Sequence, residues 1–271
     1  MCLIAFAWNP GGAQPLMAVA NRDEYYARPS AAADWWDDAP DVWAGRDLTA
    51  GGTWMGITRH GRFAALTNYR EANRHRATAP SRGHLVADFL TGTSSPADYV
   101  RTIADNAAQF NGFNLIAGEL LGANAALWYF GHRPGTDGDT VPEALAPGVY
   151  GLSNALLDTP WPKVVRTTVG LTTLKATEAR VPAFLELLSD PTQADDRDLP
   201  STGVPLAWER TLSAAFIVSP AYGTRAQTVL QVLDGHINVL ERSFENAEQA
   251  LTLNPAALRQ ASFQVSNTER K

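Results

Sequence analysis

The order in which the apolar period changes along the chain limits its fold more than any single motif does. Residues 1–70 carry short apolar runs separated by turn residues. CLIAFAW leads through NPGGAQ into PLMAVANRD, the pattern of a hairpin around a Gly-Gly loop. GGTWMGITRHGRFAALTNY repeats that pattern with a turn near His60 and Gly61. A helical period begins at Ser81, with Leu85, Val86, Phe89 and Leu90 on one face. Ser95-Pro96-Ala97-Asp98 starts a second helix: the serine caps, the proline suits the first turn, and the aspartate sits at the positive end. Strands resume at FNLIAGEL, AALWYFG and GVYGLSN. Residues 162–188 are predicted helical in two pieces broken near Pro182, and 190–205 is a polar, proline-bearing loop. FIVSP, RAQTVLQVLD and INVLERSF close the pattern as strands. Strands and helices come in blocks, without the regular alternation of a doubly wound parallel sheet. Two antiparallel sheets with helices packed outside them suit this order, as a single domain over residues 1–271.

Composition narrows the function classes. The net charge of −6 argues against nucleic-acid binding through a basic surface. The single cysteine excludes an internal disulfide and a cysteine-based zinc site. The five histidines show no metal-ligand spacing, and neither a Walker loop nor a dinucleotide fingerprint occurs. GLSNA has Ala155 where a nucleophile elbow needs glycine. The N-terminal apolar run, Cys2 to Trp8, is too short for a signal-peptide core or a membrane span, so a cytoplasmic location is expected.

The only thiol is residue 2. Free cysteine is a small hydrophobe, and Cys2 heads a run that reads as a buried strand. Methionine removal before a small side chain would instead leave Cys2 with a nucleophile and its own base, the α-amine. If the first hairpin turns between Gly12 and Ala13, Cys2 faces Asp23 and shares a face with Asn21, with Arg22 pointing away. A slip of one residue puts Arg22 beside Cys2.

VANRDEYYARPS resembles the signature of the NRDE family, also called the Transport and Golgi organisation 2 family. AGGTWMGI, ALTNYR, SRGHLVADFL, GFNLI, YGLSNALLDTPWPKV, ERTLSAAFIV, YGTRAQTVL and ERSF resemble that family's other blocks, in order. The family is similar to the N-terminal-nucleophile hydrolases, above all the cysteine acylases. That resemblance implies an α+β fold, a four-layer αββα sandwich of two antiparallel sheets, with a mature N-terminal cysteine and hydrolysis of an amide or related acyl bond in a small metabolite. It also admits a non-catalytic alternative, binding and trafficking of haem or of an acyl-CoA or lipid. No cofactor is required under either, haem being a possible ligand.

Carried over by residue, the resemblance makes Cys2 the nucleophile and Asp23 its neighbour, with Asn21 and Glu24 supporting. The arginine of the acylases' Arg-Asn-x-Asp stretch is replaced by Ala20, and Arg22 stands two residues away. Asn154 matches a later asparagine, Asn68 a second polar position, and Arg225 a late arginine. Cationic neighbours would lower the thiol pKa from about 8.5, the α-amine would move protons, and the two asparagines would donate to an oxyanion. The stretch 69–84 holds four arginines, of which Arg70, Arg74 and Arg76 are expected to grip phosphate or carboxylate groups. Trp54, in a cluster with Trp35, Trp36 and Trp43, is expected to line a ligand pocket.

Overall fold

The structure, a computed structural model, describes residues 2–134, 138–177 and 179–265. Met1, whose removal the N-terminal-nucleophile chemistry needs, lies outside the described residues. Two sheets form, and every strand pair in them is antiparallel. The six-stranded sheet has the order β10-β1-β2-β11-β12-β13. It comprises β1 (Cys2–Trp8), β2 (Leu16–Tyr25), β10 (Gly148–Leu152), β11 (Tyr222–Leu233), β12 (His236–Ser243) and β13 (Ala257–Gln264). The seven-stranded sheet runs from β3 to β9 in chain order. Its strands are β3 (Ser30–Trp36), β4 (Ala39–Asp47), β5 (Met55–Thr58), β6 (Arg62–Asn68), β7 (Phe113–Glu119), β8 (Ala126–His132) and β9 (Glu143–Ala144).

The sheets face each other across a core that includes Ile4, Phe6 and Trp8 from one and Ile57, Phe63 and Ile116 from the other. Helices cover the outer faces. Helix α1 (Gly83–Thr91) packs on β4 to β7, and α2 (Pro96–Asp105) on β7 and β8. On the opposite side α3 (Pro162–Ala176) lies against β1 and β10, and α4 (Val181–Leu188) against β2 and β11. The layers are therefore α, β, β, α, as the block order and the family resemblance together predict. Strand β1 reads as an unbroken apolar run because both its faces are covered: Ile4, Phe6 and Trp8 fill the space between the sheets, while Ala5 and Ala7 pack under α3 and α4.

Some details differ from the sequence reading. Pro182 stands in the first turn of α4 rather than at the break, because a proline at the first helical positions forfeits no internal hydrogen bond. FIVSP makes only an isolated bridge, Val218 to Gly223, and Pro220 has no N–H to give a ladder. Strand β13 has no apolar alternation to betray it, being a mostly exposed edge. The short helices α5 (Leu206–Leu212) and α6 (Ala247–Leu251) also escape a periodicity test.

Candidate active site around Cys2

The first hairpin takes the slipped register. Cys2 pairs with Arg22 and Ile4 with Ala20. The loop is longer than a tight turn: the Asn9 amide donates to the Pro15 carbonyl, and the Gly12 amide donates to the Asn9 carbonyl. Its centre therefore falls at residue 12, and that single position decides which side chains join the thiol. Cys2 and Arg22 point between the sheets. Asn21 and Asp23 point the other way, toward the helices, contrary to the arrangement first expected. Asn21 is a structural tie, its amide donating to the carbonyls of Leu188 and Ala215 at 2.8 and 2.7 Å.

A cavity of ≈ 410 Å³ opens where the sheets part, and Cys2 lies in its wall together with Arg22, Asp23, Glu24, Asn68 and Arg225. Trp54, Arg76 and Arg82 also line it. Arg225 reaches the cavity through a bulge, since the β2–β11 register shifts between Thr224 and Ala226. Its guanidinium donates to the carbonyls of Tyr25, Tyr26, Arg28 and Phe244, which clamps the strand ends around the cavity. Arg22 and Glu24 pair at 3.8 Å.

Asn154 is fully buried, and its side-chain amide donates to the Asn68 carbonyl at 2.8 Å. The Asn154 carbonyl accepts the Arg70 amide at 2.7 Å. Ser153 Oγ donates to the Cys2 carbonyl at 2.9 Å and fixes the start of β1. Asn68 thus faces the cavity, and Asn154 braces it from behind.

The arginines expected to hold ligand divide. Arg76 lines the cavity, its guanidinium held by the carbonyls of Ala108 and Phe110. Arg70 does not; it forms a 2.7 Å ion pair with Glu209 and stacks near Trp161. Arg74 pairs with Glu71 at 3.2 Å away from the cavity. Arg82, in the same basic stretch, does line the cavity. It enters because Gly52 and Gly83 touch: a Cβ at Gly52 would strike the Gly83 carbonyl carbon, so α1 starts against the cavity wall. Among the described residues Arg82 has no carboxylate partner, and its guanidinium donates to the Gly112 carbonyl at 2.9 Å. Burial lowers its pKa to about 10, opposed by the nearby Cys2 and Glu24.

The electrostatics run against a preformed thiolate. Burial pushes the Cys2 thiol up, and Asp23 and Glu24 add to that while Arg22 opposes it. Asp23 is likewise raised by burial, against the pull of Lys163 and of the Thr224 hydroxyl that donates to it at 2.7 Å. Lys163, in the first turn of α3, was not singled out from the sequence. It is 1% exposed, and its Nζ has no hydrogen-bond partner among the described residues. Burial lowers its pKa to about 8, with Asp23 opposing. A lysine in an apolar block, PWPKVV, gives no outward sign of such a role. Glu241 was missed as well. It lines the cavity, 4% exposed, accepting from the Ala33 amide at 2.8 Å and from Ser243 Oγ at 3.1 Å. No group of three or more metal-ligating side chains occurs among the described residues.

The chain is 38% identical over 267 residues to the Transport and Golgi organization protein 2 homolog of Bos taurus, covering 90% of this chain and 93% of that one. It is 35% identical over 267 residues to the homolog of Homo sapiens, with the same coverage. Among solved structures it is similar to the C2A mutant of the conjugated bile acid hydrolase from Clostridium perfringens, at TM-score 0.49 and 9% identity over 97% of this chain and 92% of that one. It is also similar to the Caenorhabditis elegans ortholog of N-acylethanolamine-hydrolyzing acid amidase, at TM-score 0.44 and 12% identity over 84% and 92%. The model of Transport and Golgi organisation 2 matches residues 1–246, and the chain belongs to that family.

Proposed function

We propose that the protein is an N-terminal cysteine hydrolase that cleaves an amide or related acyl bond of a small, anionic metabolite. One observation carries this reading: the chain's only thiol sits in the wall of a cavity that Arg22 and Asn68 also line. In a chain beginning at Cys2, Sγ attacks the substrate carbonyl carbon while its proton passes to the α-amine. The tetrahedral oxyanion accepts hydrogen bonds from the side chain of Asn68, the residue whose backbone carbonyl Asn154 ties down. The amine then returns the proton to the leaving nitrogen, the C–N bond breaks, and a thioester remains on Cys2. Water, giving its proton to the amine, attacks the thioester and frees the acid and the thiol. Because burial pushes the thiol pKa up, this chemistry draws on the amine as base rather than on a standing thiolate.

A second reading, retention of an anionic ligand without turnover, is favoured by the same raised thiol and by Arg76 and Arg82 on the cavity wall. Acyl-CoA would offer phosphates to those arginines. Haem would offer propionates, with His75 the cavity-lining imidazole among the described residues. Incubation of the purified protein with a panel of N-acyl amides, followed by intact-mass measurement, separates the readings. The hydrolase gives an acyl adduct that hydroxylamine removes and that Cys2→Ala lacks. Saturable binding with neither adduct nor turnover establishes the binding reading instead.

A further inference from the structure

Behind the thiol lies a second set of charges that the chemistry above does not use. Strand register turns Asp23 toward the helix layer. There α3 packs on β1, with Val164 against Leu3, and brings Lys163 to the same side. Arg70 enters from the segment after β6, paired at 2.7 Å with Glu209 on α5. Tyr222 of β11 is buried in the same neighbourhood, its phenol raised by burial and by Asp23, Glu24 and Cys2. Asp23 also stands one step beyond Arg22, at the end of β1 that carries the Cys2 backbone nitrogen.

The ionic groups in this interior balance. Asp23 and Glu209 supply two negative charges, Lys163 and Arg70 two positive ones. On the cavity side Arg22 pairs with Glu24, the guanidinium groups of Arg76, Arg82 and Arg225 rest on backbone carbonyls, and the buried Glu241 accepts from the Ala33 amide and Ser243 Oγ. The carboxylates that act on Cys2 are Asp23 and Glu24, and each already faces a cation, Lys163 and Arg22, so a further positive charge at the Cys2 nitrogen would be poorly offset and poorly screened. Lys163 is the least expected member: its ammonium is buried in the first turn of α3, where the helix dipole also opposes a cation. Its nearby carboxylate is Asp23.

We propose that Lys163 is a positioning residue for the Cys2 centre: acting through Asp23, its charge keeps the amine of a chain beginning at Cys2 unprotonated at neutral pH. The inference rests on the hydrolase reading for its purpose but not for its test. With Lys163 in place Asp23 is already compensated, so the α-amine gains little by taking a proton. Without Lys163 the Asp23 carboxylate draws a proton onto the amine, and the base is lost.

The amine can be titrated without any substrate. The full chain carrying Cys2→Ala, which removes the competing thiol, is freed at residue 2 by cleaving an N-terminal fusion. Its α-amine is labelled with acetic anhydride from pH 5 to 9, and the N-terminal peptide is quantified by mass spectrometry. The amine is expected to titrate below the ordinary ~8. Lys163→Met should raise that midpoint by about one unit or more, the scale of a single close charge. Lys163→Arg should hold it near the parent value. Asp23→Asn should lower it, and the Asp23→Asn/Lys163→Met pair should return it toward the parent. An unmoved midpoint in Lys163→Met, or one moved as far by Lys163→Arg, overturns the proposal. If Lys163→Met fails to fold, Asp23→Asn alone decides: an unchanged or higher midpoint overturns it. Failure of the hydrolase reading looks different, because the amine then shifts as described while the unsubstituted chain forms no acyl adduct.

Discussion

Arg70 and Glu209 meet at 2.7 Å with their side chains each 3% exposed. Arg70 therefore belongs to the interior, although its place in a basic stretch suggests a ligand contact. Replacing Arg70 with methionine leaves the Glu209 carboxylate buried without its cation, at a cost of about 3–5 kcal/mol. Urea denaturation should show that loss, and Arg70→Met/Glu209→Gln should recover part of it. A destabilisation within ~0.5 kcal/mol, the size of an ordinary surface change, would contradict the assignment.

Cys2 should react with iodoacetamide only slowly at neutral pH. Burial favours its neutral form, so the rate should climb at a higher pH than for a free thiol near 8.5. The sequence alone suggests the opposite, since cationic neighbours were expected to dominate. An alkylation midpoint below that value would show that Arg22 outweighs burial. Cys2→Ala should fold with little loss of stability and form no acyl adduct.

Glu241 carries a pH signature in stability. Its folded pKa is raised by burial, so the folded state holds this proton more tightly than the unfolded chain does. The contribution is present below the unfolded value near 4.3 and is lost as pH rises through the folded value. Glu241→Gln removes the cost of the buried charge. It should raise the melting temperature at pH 7, with the gap over the parent closing as pH falls toward 4. A variant less stable than the parent at pH 7 would mean that the hydrogen bonds from Ala33 and Ser243 outweigh desolvation.

Arg82 should govern affinity more than turnover. A charge-assisted hydrogen bond is worth about 1.5–3 kcal/mol. Arg82→Met should accordingly weaken an anionic ligand by roughly tenfold to a hundredfold, with kcat little changed. Titration calorimetry or a KM measurement reads this, and equal binding by variant and parent would remove Arg82 from the ligand site.

Much of the fold was legible because burial writes itself into periodicity. The apolar runs of β1 and β7 and the striped faces of α1 and α2 could be found by inspection. Strand β13 could not, because an exposed edge need not alternate. The site divided along similar lines. Cys2, Asp23, Asn68 and Arg225 stand in motifs with unusual residue types, and the cavity gathers them. Lys163 and Glu241 were hidden, since their roles come from what folds over them. The register error at Asp23 had a single cause: the centre of the loop from Asn9 to Pro15 depends on hydrogen bonds that composition does not announce.

The contacts among Asn68, Arg70 and Asn154 reach beyond the site itself. Asn68 ends a strand of one sheet, and Asn154 follows the last residues of β10 in the other. One hydrogen bond runs from Asn154 to the Asn68 carbonyl, and another returns from the Arg70 amide to the Asn154 carbonyl. The pair is a latch that ties the two sheets together beside the cavity. A latch of this kind fixes the spacing of the two strand ends there. The Arg70 amide, though it lies beyond the end of its strand, should then surrender its hydrogen to deuterium as slowly as the strands it joins.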